Sequence, residues 1–201
     1  MKKVLSILFI AAISISSAMA QDVDEILNNY FETIGGKDNW EKMESMVVKG
    51  KMTMQNMELP MTMYTQQPNL SYTEISVMGK TVIQAYDGTS AWSINPFQGG
   101  ETAQKGTQEE TDAAAEEMFE NDFLNYAEKG STVKLTGTQN IEGTDCYMIL
   151  LTKKDGDETT YFVDQENYVP IMIESPIDEG PMKGKVAQAY FSDYMEVGDF
   201  I

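Results

Sequence analysis

The sequence has no histidine, no arginine and a single cysteine, Cys146. Without histidine the chain lacks the commonest general base and metal ligand, which excludes a Ser-His-Asp triad, a Cys-His pair and an ordinary zinc site. A single cysteine excludes an internal disulfide bond. Cys146 lies in a strand-like segment with apolar residues on both faces, so we expect a buried and unreactive thiol.

Positive charge is scarce as well. The 14 basic residues are all lysines, they are outnumbered by 32 acidic residues, and the formal net charge is −18. Nucleic acids, phosphates and anionic lipid surfaces are bound by clustered cations, so this balance argues against them as partners. The acidity suits an exported protein that its charge keeps soluble and monomeric.

Acidic residues are concentrated in the segment 107–122, which could supply the carboxylate pair of a glycoside hydrolase. They occupy the polar side of an amphipathic helix pattern, which favours a solvated face instead. Asp155, Asp157 and Glu158 lack the ligand spacing of an EF-hand calcium loop. We therefore predict that the protein is not an enzyme and has no metal site and no cofactor.

The first 20 residues have the pattern of a secretory signal peptide. Lys2 and Lys3 precede an apolar run that is too short to span a membrane, and Ala18-Met19-Ala20 is a small-x-small cleavage site. We expect cleavage after Ala20, export to a bacterial periplasm, and one domain over residues 21–201. The chain stops at residues typical of the middle of a strand, so we expect a truncated C-terminus.

Apolar periodicity predicts a helix, five strands, a second helix and five more strands. The first helix carries an apolar stripe from Val23 to Ile34 and ends at Gly35-Gly36. The second is capped by Thr107 with Glu110 and ends at Gly130. The strands are expected at 45–56, 58–67, 69–79, 80–87, 89–95, 132–141, 144–154, 157–164, 168–174 and 184–195. This order predicts an α+β fold: a single long antiparallel sheet with helices on one side.

Methionine is abundant, with 15 residues in the sequence. Met52, Met54, Met61 and Met63 align on one side of the first predicted hairpin. Core filling explains such residues, because methionine adapts to irregular gaps. The functional alternative is an adaptable apolar wall for ligands of variable shape. The two interpretations are compatible, since a sheet with helices on one side can enclose a cavity.

Two stretches together resemble the bacterial outer-membrane lipoprotein carrier family, LolA, and its LolA-like relatives. They are QPNLSY, from Gln67 to Tyr72, and AYDGTSAWSINPF, from Ala85 to Phe97. The family has a Pro-Asn-Leu/Phe strand followed by Asp-Gly, Trp and Asn-Pro-Phe. The matching residues here are Pro68, Asn69, Leu70, Asp87, Gly88, Trp92, Asn95, Pro96 and Phe97.

The resemblance implies an unclosed antiparallel half-barrel with helices on its concave side as a lid. It also implies a monomeric periplasmic carrier that shelters the acyl chains of lipoproteins or similar lipids. Such a carrier takes its cargo from an inner-membrane ABC exporter to an outer-membrane acceptor. We expect the apolar cavity to be lined by Met52, Met54, Met61, Met63, Leu70, Trp92, Ile94 and Phe97. We expect the lid to present Ile26, Leu27, Tyr30, Phe31, Met118, Phe119 and Phe123.

One position departs from the family pattern. The family carrier has an arginine immediately before Pro-Asn, associated with holding the lid shut and with hand-off, and Gln67 occupies this position here. Glutamine cannot supply a charged bidentate fork, so we expect Gln67 at the release position and a different release mechanism, or another lipid cargo. Three alternatives stay open: a lipid-sensing regulatory module of the same fold, an enzyme acting on envelope glycans or lipids, and a structural β-protein with a filled interior.

Overall fold

The structure, a computed structural model, describes residues 23–54, 57–116, 119–177 and 182–201. The predicted signal peptide lies outside these residues. The described chain divides into two compact units. Glu41–Asn121 forms the central unit, and the described residues before Glu41 and after Asn121 form the flanking unit. No helix in the described ranges is long and apolar enough to cross a membrane.

The helices and strands follow closely the order that the apolar periodicity predicts. In chain order they are α1 (residues 23–33), α2 (Lys37–Lys42), β1 (Ser45–Met54), β2 (Met57–Gln66), β3 (Leu70–Val77), β4 (Lys80–Tyr86), β5 (Ala91–Ile94), β6 (Gln104–Lys105), α3 (Gln108–Glu116), β7 (Thr132–Ile141), β8 (Thr144–Thr152), β9 (Glu158–Asp164), β10 (Pro170–Pro176) and β11 (Val186–Tyr190). The short elements α2 and β6 were not predicted.

All described strand pairs are antiparallel, and the predicted α+β class is confirmed. The strands form two open sheets, whereas the sequence predicted one long sheet. The central unit holds a sheet in the order β1-β2-β3-β4-β5-β6, and the flanking unit holds one in the order β11-β10-β9-β8-β7. The break follows β6, which is only two residues long and leads into α3 instead of another full strand.

Helix α1 packs its apolar stripe onto the five-stranded sheet. Val23, Ile26, Leu27, Tyr30, Phe31 and Ile34 are buried in one cluster with Ile149, Leu151, Tyr161 and Val163 of β8 and β9. The cost of ordering the helix is offset by this packing, because an isolated helix of its length is marginal in water. The first helix and its apolar face are confirmed.

The other face of the five-stranded sheet buries a second cluster, made of Ile141, Cys146, Phe162 and Met172. Cys146 is completely buried, as the sequence predicted. Burial is the main cause that raises the pKa of the Cys146 thiol, so the thiolate is disfavoured. Both faces of β8 are therefore used by the core.

Local capping and turn chemistry fixes the ends of the helices. Gly36 N–H donates to Phe31 O at 2.7 Å, and both Gly35 and Gly36 have positive φ, which ends α1 where the sequence predicted. At α3, Glu110 N–H donates to Thr107 Oγ1 at 3.2 Å and Thr107 N–H donates to Glu110 Oε2 at 2.7 Å. The predicted capping box is confirmed.

The second predicted helix is shorter than its apolar pattern suggested. The described helical residues end at Glu116, and residues 119–130 are bends and turns. Asn121 and Asp122 favour local turn hydrogen bonds over helix, and Asn125 has a φ of 50°. The prediction of a continuous helix to Gly130 is therefore wrong, although Gly130 does lie directly before β7 with positive φ.

Candidate functional site

The pairing of β1 with β2 gathers methionines on one side of the central sheet. The register places Val48 opposite Met63, Met52 opposite Leu59 and Met54 opposite Met57. Residues directly opposite each other in an antiparallel pair project from the same face, and alternate residues along a strand share that face. Met46 and Met61 lie on this face by the same rule.

The apolar surface continues across β3 and β4. Met61 pairs with Ile75, and Ile75 pairs with Val82. We call the apolar strand residues on this side of the sheet the methionine face: Met46, Val48, Met52, Met54, Met57, Leu59, Met61, Met63, Ile75, Val77 and Val82. Lys80, opposite Val77 at the start of β4, is the one charged residue that the register assigns to this side in the described strands.

The opposite side of the same sheet is charged. It carries Lys49, Lys51, Glu58, Glu74 and Lys105. Lys51 Nζ lies 2.7 Å from Glu58 Oε2, an exposed ion pair. Mutual hydrogen bonding and charge raise the pKa of Lys51 and lower that of Glu58. The sheet is thus amphipathic: one side carries Lys80 as its one charged residue in the described strands, and the other side carries the Lys51–Glu58 ion pair.

Within the described residues, the methionine face does not form part of a packed hydrophobic core. Both hydrophobic core clusters belong to the flanking unit. In the central unit the fully buried apolar side chains among those described are Leu59 and Tyr86. The methionines are half-buried or exposed, with 48% of Met54 and 38% of Met57 accessible. Accessible apolar surface of this kind, facing away from the charged side, is typical of a binding surface.

The register divides the predicted cavity lining into two sets. Met52, Met54, Met61 and Met63 lie together on the methionine face. Leu70, Trp92 and Ile94 lie on the charged side, because Ala85 pairs with Trp92 and Ile83 with Ile94. The prediction that Leu70, Trp92 and Ile94 line the same surface as the four methionines is therefore wrong. Phe97 belongs to neither set: it is exposed in the turn after β5, with Lys80 Nζ 5.5 Å from its ring centroid.

Trp92 is held by the turn that precedes its strand. Asp87 Oδ1 accepts hydrogen bonds from Ser90 N–H at 2.8 Å and Thr89 N–H at 2.9 Å, and Oδ2 accepts from the Trp92 indole at 2.7 Å. The Ser90 backbone bond, followed by the indole bond, lowers the pKa of Asp87. Asp87 therefore joins the turn to the tryptophan, which gives the Asp-Gly and Trp positions a structural role.

The segment around Gln67 is tied to α3 and to the chain before β1. Gln67 Nε2 donates to Met43 O at 2.7 Å, and the Gln67–Pro68 peptide bond is cis. Asn69 Nδ2 donates to Ala115 O at 3.0 Å, close to the C-terminal end of α3. Phe119 N–H donates to Pro68 O at 3.1 Å, so Phe119 is held at this turn. A role for Gln67 in release stays a prediction.

The residues predicted to form the lid separate in the structure. Ile26, Leu27, Tyr30 and Phe31 are core residues of the flanking unit, and so is Phe123, whose ring centroid lies 4.4 Å from that of Tyr161. Phe119 belongs to the central unit and is half-buried. Met118 lies outside the described residues.

Sequence reasoning missed three residues of interest. Met46 and Met57 belong to the methionine face, but assigning Met57 to it requires the exact hairpin register. Asp122 accepts a hydrogen bond from the buried Tyr161 hydroxyl. No short-range pattern links residues so far apart in sequence. The described residues contain no group of three or more His, Cys, Asp or Glu placed to hold a metal ion.

No protein-family model and no curated protein matches the chain. Solved structures similar to it include a DUF1329 family protein from Desulfovibrio piger (13% identity, TM-score 0.46, covering 85% of this chain and 80% of that one). A LolA superfamily protein from Nitrosomonas europaea is 13% identical with a TM-score of 0.44, covering 84% and 78%. A domain described as an outer membrane lipoprotein-sorting protein, from Vibrio parahaemolyticus, is 12% identical with a TM-score of 0.46, covering 88% and 79%. Likeness at this level shows nothing about function.

Proposed function

We propose that the protein is a non-catalytic periplasmic carrier that shelters the acyl chains of lipoproteins or similar lipids on the methionine face. The single observation that carries the proposal is the accessible apolar surface built by the β1–β2 hairpin and continued by Ile75 and Val82. Methionine suits such a surface, because its unbranched thioether side chain adapts to chains of different shape.

Apolar contact alone is sufficient to supply the affinity. An acyl chain of about 14 methylenes gains about 11 kcal/mol when it is fully buried, at about 0.8 kcal/mol per methylene. Partial burial and the loss of motional freedom reduce this figure. No charged or catalytic group is needed to bind such a ligand, which agrees with the apolar residues that make up the methionine face.

On this proposal, the carrier moves its cargo between the inner and the outer membrane. It is exported by its signal peptide, receives acylated cargo from an inner-membrane exporter and delivers it to an outer-membrane acceptor. Release requires a competitor for the methionine face, and the segments tied to the Gln67–Asn69 turn are the candidates, since they connect β2 and β3 with α3.

The experiment compares two glutamate substitutions on the same strand. Met54→Glu puts a charge on the methionine face, and Val47→Glu puts the same charge on the opposite side. The two side chains are matched, since 48% of Met54 and 53% of Val47 is exposed. Each variant and the parent protein is purified from cells, and its bound acyl species are recorded by native mass spectrometry before and after delipidation.

We expect acyl species on the parent protein and on Val47→Glu, and a loss of at least about tenfold in occupancy for Met54→Glu, because the charge must be desolvated against the acyl chain. Titration of the delipidated proteins with a fluorescent fatty acid should give the same order of affinity. A protein that is always empty, or equal binding by the two variants, contradicts the proposal.

A further inference from the structure

The methionine side chains of the methionine face carry thioether sulfurs that can be oxidised. The chain's one thiol, Cys146, is completely buried in the other unit. On the methionine face, Met54 and Met57 are exposed, and they pair directly across the end of the β1–β2 hairpin. The neighbouring Met52, Met61 and Met63 are half-buried. An oxidant in solution therefore reaches the Met54–Met57 pair before the rest of the face.

We propose that oxidation of Met54 and Met57 to methionine sulfoxide is a reversible modification that switches off acyl-chain binding on the methionine face. This inference rests on the proposed function. The oxidant is hydrogen peroxide, and each molecule transfers one oxygen atom to one thioether sulfur. An S–O bond forms as the O–O bond breaks, the sulfur gives up an electron pair, and the peroxide is reduced to water.

The physical effect follows from the position of the pair. A sulfoxide is polar and accepts hydrogen bonds, whereas the thioether is apolar. Water satisfies the sulfoxide oxygen while the face is empty, so the fold tolerates the change. An acyl chain that covers the face removes this water and leaves the oxygen unpaired, which disfavours binding. The modification thus acts on the bound state and spares the free protein.

The most exposed methionines of the described ranges provide an internal control. Met78 and Met195 are 78% and 74% accessible, and neither belongs to the methionine face. Exposure predicts that they are oxidised earlier than Met54 and Met57. If oxidation acts only through the methionine face, their sulfoxides leave binding unchanged, and binding falls only as sulfoxide accumulates at the hairpin pair.

The experiment treats the delipidated protein with increasing hydrogen peroxide and follows the sulfoxide at each methionine by peptide mass spectrometry. Binding of a fluorescent fatty acid is measured on the same samples. The variant Met54→Leu/Met57→Leu keeps apolar side chains but removes the two sulfurs. The matched control Met78→Leu/Met195→Leu removes the sulfurs of Met78 and Met195 and retains the Met54–Met57 pair.

We expect binding to weaken about tenfold as Met54 and Met57 are oxidised, and to recover after treatment with methionine sulfoxide reductases. The Met54→Leu/Met57→Leu variant should resist the peroxide, and the control variant should lose binding like the parent. Unchanged binding with both sulfoxides formed, or equal loss in the Met54→Leu/Met57→Leu variant, overturns this inference alone. A reduced protein that never binds the probe overturns the proposed function and this inference together.

Discussion

Replacing Phe123 with alanine tests whether this residue is a core residue or part of a movable lid. Only 2% of Phe123 is exposed, and its ring makes an edge contact with Tyr30 at 5.5 Å between centroids and a tilted contact with Tyr161 at 4.4 Å. Truncation of a buried phenylalanine costs about 3–5 kcal/mol, including about 0.5–1.5 kcal/mol for each aromatic pair that is lost. We therefore expect a loss of about 3–5 kcal/mol of unfolding free energy.

The assay is unfolding in urea, monitored by tryptophan fluorescence. The two tryptophans are divided between the units, Trp40 in the flanking unit and Trp92 in the central unit. A Trp92→Phe background leaves Trp40 as the reporter of the flanking core. The control Phe97→Ala removes an exposed ring with one cation–π contact to Lys80 and should change the free energy of unfolding by less than about 1 kcal/mol. A loss below about 1 kcal/mol for Phe123→Ala would refute the assignment to the core.

Two further predictions concern pH. Burial, followed by the charge and hydrogen bond of Asp122, raises the pKa of Tyr161. The stabilising contribution of the Tyr161 hydroxyl is therefore intact below about pH 10 and declines above it by up to about 1.4 kcal/mol per pH unit. The stability difference between the protein and Tyr161→Phe, measured by urea unfolding, should shrink above about pH 10, and a constant difference would contradict this reasoning. Hydrogen bonds from Ser90 and Trp92 lower the pKa of Asp87, so its contribution is present above about pH 4 and lost as the pH falls further. Asp87→Ala should lower the thermal midpoint of unfolding at neutral pH, and the difference in midpoint between the two proteins should become smaller in acid. A difference that becomes larger in acid would show that the charged form of Asp87 is not the stabilising form.

Features set by neighbouring residues could be predicted from the sequence. The α1 stop at Gly35-Gly36 depends on residues that can adopt positive φ, and the α3 cap depends on Thr107 and Glu110. The strand positions follow from alternation within each strand. Each of these signals is complete within a few residues, so tertiary context did not need to be known.

The assignment of residues to the two sides of the central sheet could not be predicted in the same way. Alternation shows which residues of one strand share a face, but the relation between strands depends on the register of every turn that joins them. Four pairings separate Met54 on β1 from Trp92 on β5. The predicted lining joined residues from opposite sides for this reason. The reason that Phe123 was assigned to the lid is different. Its spacing continues the helical pattern although the chain forms a turn there, and its environment is determined by long-range packing against Tyr30 and Tyr161.

Whether acyl chains bind on the methionine face can be measured residue by residue by a nuclear magnetic resonance titration that follows isotope-labelled methionine methyl groups while a fatty acid is added to the delipidated protein. We expect the methyl signals of Met52, Met54, Met61 and Met63 to shift together as the acyl chain binds. The signals of Met78 and Met195, which are not among the methionine-face residues, should not shift. Binding that leaves these four methyl signals unchanged would show that the acyl chain does not lie on the methionine face.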